Sequence, residues 1–258
     1  MLYIIISVII AVVGALFFSN KRNKPRPVLS DAYKALLNSN VDYYQKLDTT
    51  TKARFETLVQ EFLSYVRIEG VGTDITDLDK VLIASSAVIP IMGFPDWKYR
   101  NLTNVIVYPD TFDQKYQFEG EGDNDRNILG MVGSGYMNGQ MLLSRAALYK
   151  GYSRSSGKEN TAIHEFVHLL DMSDGATDGI PENLMPHEYT IIWLKMMHEE
   201  MRRIEAGKSD INPYALTNEA EFLAVASEYF FEKPDQLKLH HPEMYQQLSK
   251  IFGQTPAK

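Results

Sequence analysis

The chain has 258 residues, enough for one large domain or two small ones with a substantial core. Its 33 acidic against 26 basic residues leave a net charge of −7, which argues against a nucleic-acid-binding surface. With no cysteine there is neither a disulfide framework nor a thiolate metal site, so any metal must be held by histidine and carboxylate.

From the N-terminus, Leu2 to Phe18 is apolar apart from Ser7 and Gly14. As a helix it covers most of a hydrocarbon core about 30 Å thick. A cleaved signal peptide is the competing reading, but no Lys or Arg precedes the run and "LFFSNKRNK" is a poor cleavage site. Lys21, Arg22, Lys24 and Arg26 come after it. The positive-inside rule then predicts a single-pass anchor (1–20) in the inner membrane and a cytoplasmic domain. Residues 21–27, with Pro25 and Pro27, read as a linker. The domain is expected over 28–258, helical to about residue 100, with a catalytic part from 101 onward.

Asp48 or Thr49 can cap a helix in which Phe55, Leu58, Phe62 and Val66 recur at helical spacing. "RIEGVG" reads as a short strand and turn, and Asp77 as the cap of an apolar helix ended by Pro90 and Gly93. From about residue 103 the period shortens. "NVIVYP", "QKYQFEG" and two runs within "ILGMVGSGYMNGQMLLSR" read as strands. Glycines 130, 133, 135 and 139 lack the context of a phosphate loop and fit strands and turns. After residue 158 the pattern is helical, including "EYTIIWLKMMHEEMRRIEAG", "NEAEFLAVASEYFFEK" and "PEMYQQLSKIFG". Helices, short strands, then helices predict an α+β domain with a small antiparallel sheet.

One stretch carries chemistry. "TAIHEFVHLLDMSDG" places His164 and His168 at i and i+4, one turn apart on a helix face, with Glu165 beside them. Two imidazoles so spaced can share a zinc ion, and Glu165 can take a proton from a bound water. Five residues also arise by chance, and a catalytic zinc needs a third ligand. The candidates are Asp171, His187, His198, Glu219, Glu221, Glu228 and the pair His240 and His241. Asp171 is too short and near, and fits a bond to a ligand histidine instead. The helix "NEAEFLAVASEYFF" is the most suggestive. Glu221, Ala224, Val225 and Glu228 share a face, and a carboxylate on an apolar helix is costly unless it coordinates or pairs. Glu228 is either such a partner or exposed.

"VIVYP", "HEFVHLLDMSDG" and "NPYALTNEAEFLAVASEYFFEKP" together closely resemble the MtfA-type zinc peptidases, the Mlc titration factor group, in order from about residue 55 to about residue 250. The resemblance implies a zincin-like fold akin to the gluzincins and the anthrax lethal factor catalytic domain. It implies zinc ligands at His164, His168 and Glu221, a catalytic Glu165, and a family tyrosine at Tyr214, which either donates a hydrogen bond to the oxyanion or packs as an aromatic beside Pro213. It implies a peptide or protein substrate, aminopeptidase-like action and, in enteric bacteria, binding of a glucose-regulon repressor. A membrane-anchored regulator that sequesters such a partner is therefore the alternative to an enzyme. The chain departs from the family's soluble members in its apolar N-terminal segment. The strand Gly139 to Arg145 reads as a sheet edge suited to binding an extended peptide.

Overall fold

The computed structural model describes residues 28–110, 130–132, 139–153, 155, 157–185 and 187–257. The apolar N-terminal segment, its basic flank, the predicted strand Gln114–Gly120 and glycines 133 and 135 lie outside these. No helix among the described residues is long and apolar enough to cross a membrane.

Helices α1 (Asp31–Asn40), α2 (Asp42–Gln45) and α3 (Thr49–Tyr65) open the described chain. Asp48 caps α3, accepting from the amides of Thr50 and Thr51. Phe55, Val59 and Phe62 form its buried stripe. Strand β1 (Arg67–Gly70) leads to α4 (Asp77–Ile91), in which every residue from Val81 to Ile91 is buried. A helix apolar all round belongs in the middle of a molecule, and α4 packs against α1, α3 and the later helix α6. Its cap is Thr76, one residue before the expected Asp77. The Thr76 hydroxyl accepts from the Asp79 amide at 3.1 Å while Asp79 accepts from the Thr76 amide at 2.8 Å. This reciprocal box satisfies two donors, which Asp77 alone would not do.

Strands β2 (Asn104–Tyr108), β3 (Gly130–Val132) and β4 (Gln140–Ser144) complete a four-stranded sheet in the order β1-β2-β4-β3. The expected antiparallel sheet is corrected here. β1, β2 and β4 are parallel, and only β3 runs against its neighbour. The reason lies in the connections: α4 carries the chain from the end of β1 back to the start of β2, as a parallel pair requires. A second correction follows. β4 lies between β2 and β3, so among the described strands the edges are β1 and β3, and Gly139–Arg145 is not an edge. Ser144 ends β4 and caps α5 (Arg145–Gly151), a helix too short to show a period in sequence. Arg145 reaches back to Asp79 at 2.8 and 3.0 Å, tying α5 to the cap of α4.

The remaining helices are α6 (Thr161–Asp171), α7 (Thr190–Glu205), α8 (Glu219–Glu232), α9 (Pro234–His240) and α10 (Pro242–Phe252). α6 packs against α4, α8 and β3. One continuous apolar cluster joins residues of these helices to Val105, Val107, Met141 and Leu143 of the sheet. The class is mixed α+β and rich in helix.

Candidate metal centre

Asn160 starts α6. Its side chain accepts from the Ile163 amide and donates to Glu232 at 2.8 Å. Ala162, Ile163, Phe166, Val167 and Leu170 are buried and fix the rotation of the helix. That rotation aims the imidazoles of His164 and His168 at one point, with 3.1 Å between their Nε2 atoms. Helix α8 supplies the third group. Asn218 caps it by accepting from the Glu221 amide, which fixes the turn carrying Glu221. Glu221 Oε2 lies 2.9 Å from His164 Nε2 and 3.5 Å from His168 Nε2. Among the described residues, these three are the group whose donor atoms converge as metal ligands would, all within 4.8 Å of one another.

Glu228, two turns after Glu221 on α8, is also against the site. Its Oε1 is 2.8 Å from His164 Nδ1, and its other oxygen accepts from the Asn160 amide. It thereby sets the ring so that Nε2 faces Glu221. The spacing Glu221 to Glu228 on a buried face was the signal for it in the sequence. Burial opposes charge on His164, but the carboxylates of Glu221 and Glu228 at its two nitrogens outweigh this and raise its pKa to about 10. Burial likewise works against the Glu221 carboxylate, yet His164 and His168 lower it to about 2.

Glu165 is buried beside this group, under strand β3. Burial pushes its carboxyl above the ordinary carboxylate range, and the neighbouring histidines oppose that only in part. Gly130 of β3 passes so close that a Cβ there would lie 2.7 Å from Glu165 Oε1. Nothing in the sequence singled out Gly130 from the other strand glycines. Tyr214 lies on a 3₁₀ turn, Pro213–Leu216, whose Asn212 cap accepts from the Tyr214 amide. Tyr214 is 54% exposed, with its ring 6.0 Å from that of His164. All these residues border one open cleft of about 860 Å³. A second cavity of about 360 Å³ beyond Met172 holds none of them.

The other candidate ligands are elsewhere. Asp171 is fully buried and accepts from the Gly179 amide at 2.9 Å, so it does not reach a ligand histidine. His198 pairs with Glu219 at 3.4 Å on an exposed face. His240 and His241 pair with Asp210 at 3.0 and 2.6 Å. The side chain of His187 lies outside the described residues.

Residues 17–253 match the model of the glucose-regulated metallo-peptidase M90 family. Mlc titration factor A of Escherichia fergusonii is 29% identical over 81% of this chain and 82% of its own length. Mlc titration factor A of Yersinia pestis is 26% identical over 92% and 89% respectively. An uncharacterized Synechocystis protein is 28% identical over 87% and 84%. The family match spans nearly the whole chain and includes the converging histidines and glutamate, so the chain belongs to the glucose-regulated metallo-peptidase M90 family.

Proposed function

We propose that this protein is a zinc-dependent peptidase whose metal is held by His164, His168 and Glu221. The observation that carries the reading is the triangle of donor atoms with a buried carboxylate beside it. Ligands about 2.0–2.1 Å from a tetrahedral zinc lie about 3.3 Å from one another. The three edges here, 2.9, 3.1 and 3.5 Å, bracket that spacing. Three protein ligands in an open cleft suit a catalytic rather than a structural zinc. The bound metal would supply Lewis-acid polarisation of a carbonyl and a more acidic water.

Glu165 takes the proton of the attacking water and delivers it to the departing amine. A buried carboxyl with a raised pKa suits both halves of that transfer. The edge β3 offers backbone groups to an extended peptide lying across the cleft. Tyr214, exposed at the cleft wall, donates to the oxyanion. A helix bearing two ligands beneath a sheet with an antiparallel edge strand supports a zincin-like architecture. Aminopeptidase-like action is part of the proposal.

Glu165→Gln keeps size and polarity but cannot accept the proton. It should retain zinc by mass spectrometry and lose about 10²–10⁴-fold in peptide turnover. Unchanged turnover with zinc retained removes Glu165 from the mechanism.

A regulatory reading also has support, since the relatives are named as titration factors for Mlc. On that reading the chain binds a protein partner, and Glu165→Gln leaves such binding intact. The apolar run Leu2–Phe18 and its basic flank support an inner-membrane anchor with the domain in the cytoplasm. Protease added to spheroplasts should spare the domain; digestion reverses the orientation.

A further inference from the structure

We infer that Asp171, Gly179 and Trp193 form a positioning device for Glu221, which sets the distance between the two helices that carry the ligands. The inference rests on the metal reading above.

The device begins at the C-terminal end of α6. Asp171 is fully buried, and its Oδ2 accepts from the Gly179 amide at 2.9 Å. Its Oδ1 meets no donor among the described residues. A buried carboxylate held by a single backbone donor is an expensive way to fasten a loop, so its place calls for a role. Gly179 is held from its other side as well. Its carbonyl accepts from Trp193 Nε1 at 2.7 Å, and Trp193 is fully buried on α7. The Trp193 ring packs edge-on against Phe222, the residue after Glu221, with centroids 6.0 Å apart.

Gly179 then meets α8 directly. It has φ +75°, and a Cβ there would lie 2.3 Å from the Glu219 carbonyl oxygen and 3.2 Å from the Ala220 nitrogen. Only glycine allows the two backbones to approach so closely with that torsion. The contact falls on the first turn of α8, where Asn218 caps the Glu221 amide. His168 and Asp171 belong to one rigid helix, and Gly179 abuts the turn that bears Glu221. The spacing between the imidazoles and the carboxylate is therefore set through Asp171 and Gly179. The hydrogen bonds of the three run to one another and not to the ligand atoms, so they act through the placement of the two helices.

The test is zinc affinity, measured on the full chain by competition with a chromophoric chelator, alongside thermal unfolding of the metal-free protein. Asp171→Ala should weaken zinc binding by about 10–100-fold. Asp171→Asn keeps an amide oxygen that accepts from the Gly179 amide and should recover most of that loss. Trp193→Phe keeps an aromatic ring against Phe222 but loses the bond to the Gly179 carbonyl together with the pyrrole half of the indole. It should weaken zinc several-fold, and this reads the device even where Asp171→Ala is too unstable to purify. A wild type that binds no zinc overturns the metal reading itself. Zinc held equally tightly by the wild type, Asp171→Ala and Trp193→Phe overturns the positioning role alone. So does a purely thermal effect, with metal-free unfolding shifted and zinc affinity unmoved.

Discussion

At position 130 the absence of a side chain makes room for a carboxylate. A methyl group there would stand 2.7 Å from both Cγ and Oε1 of Glu165. Glu165 ends a flexible side chain, so it yields before the strand does. On the proposed reading, Gly130→Ala should therefore fold and keep its zinc, yet displace Glu165. A misplacement of that order costs about 10²-fold in turnover, and it should appear in kcat with zinc content unchanged. Full turnover in the variant shows that the carboxylate need not occupy that position. The convergence of His164 and His168 is the part of the candidate site most legible in the sequence, because a helix puts i and i+4 on one face. Glu221 was legible because an apolar helix carries carboxylates only at a cost. Gly130 and Gly179 were not, since their role is an approach between segments distant in sequence. Asp171 sat at a spacing that suggested a histidine partner, and its short side chain reaches the Gly179 amide instead.

At the scale of elements, the ends of helices were less legible than their interiors. The buried stripe of α3 kept Phe55 and Phe62, with Val59 rather than Leu58 buried between them and Val66 just past the helix end, while the cap of α4 moved from Asp77 to Thr76 because the reciprocal bond with Asp79 decides it. Strand direction was hidden, since a run of four or five β-formers looks alike in either sense; the α4 connection determines it. The histidine pair near Pro242 is an inter-element fastening. His241 at the start of α10 stands 2.6 Å from Asp210 in the loop before Tyr214 and 3.3 Å from Glu200 of α7. Burial works against charge on His241, but these two carboxylates outweigh it and raise its pKa. The charged imidazolium then stabilises the fold fully below its unfolded value of about 6.5, and that contribution is lost as pH rises through the higher folded value. The gap in melting temperature between the wild type and His241→Gln should be widest at or below pH 6 and narrow toward alkaline pH. A gap that is constant with pH shows that the ring acts through packing rather than charge.

For the whole molecule, the centre lies where two helices far apart in sequence are brought together over a short mixed sheet. On the proposed reading, residues 161–171 supply two ligands and the base, and residues 219–232 supply the third ligand and the carboxylate bonded to His164. Neither segment makes a centre alone, so the account stands on their convergence at one ion. The direct measurement is zinc per chain by mass spectrometry, on the full-length wild type and on His168→Ala. The wild type should carry one zinc per chain. His168→Ala should lose most of it, because two remaining ligands hold the ion poorly. A stoichiometric zinc content in His168→Ala, or none in a folded wild type supplied with zinc, contradicts the assignment of His164, His168 and Glu221 as the metal centre.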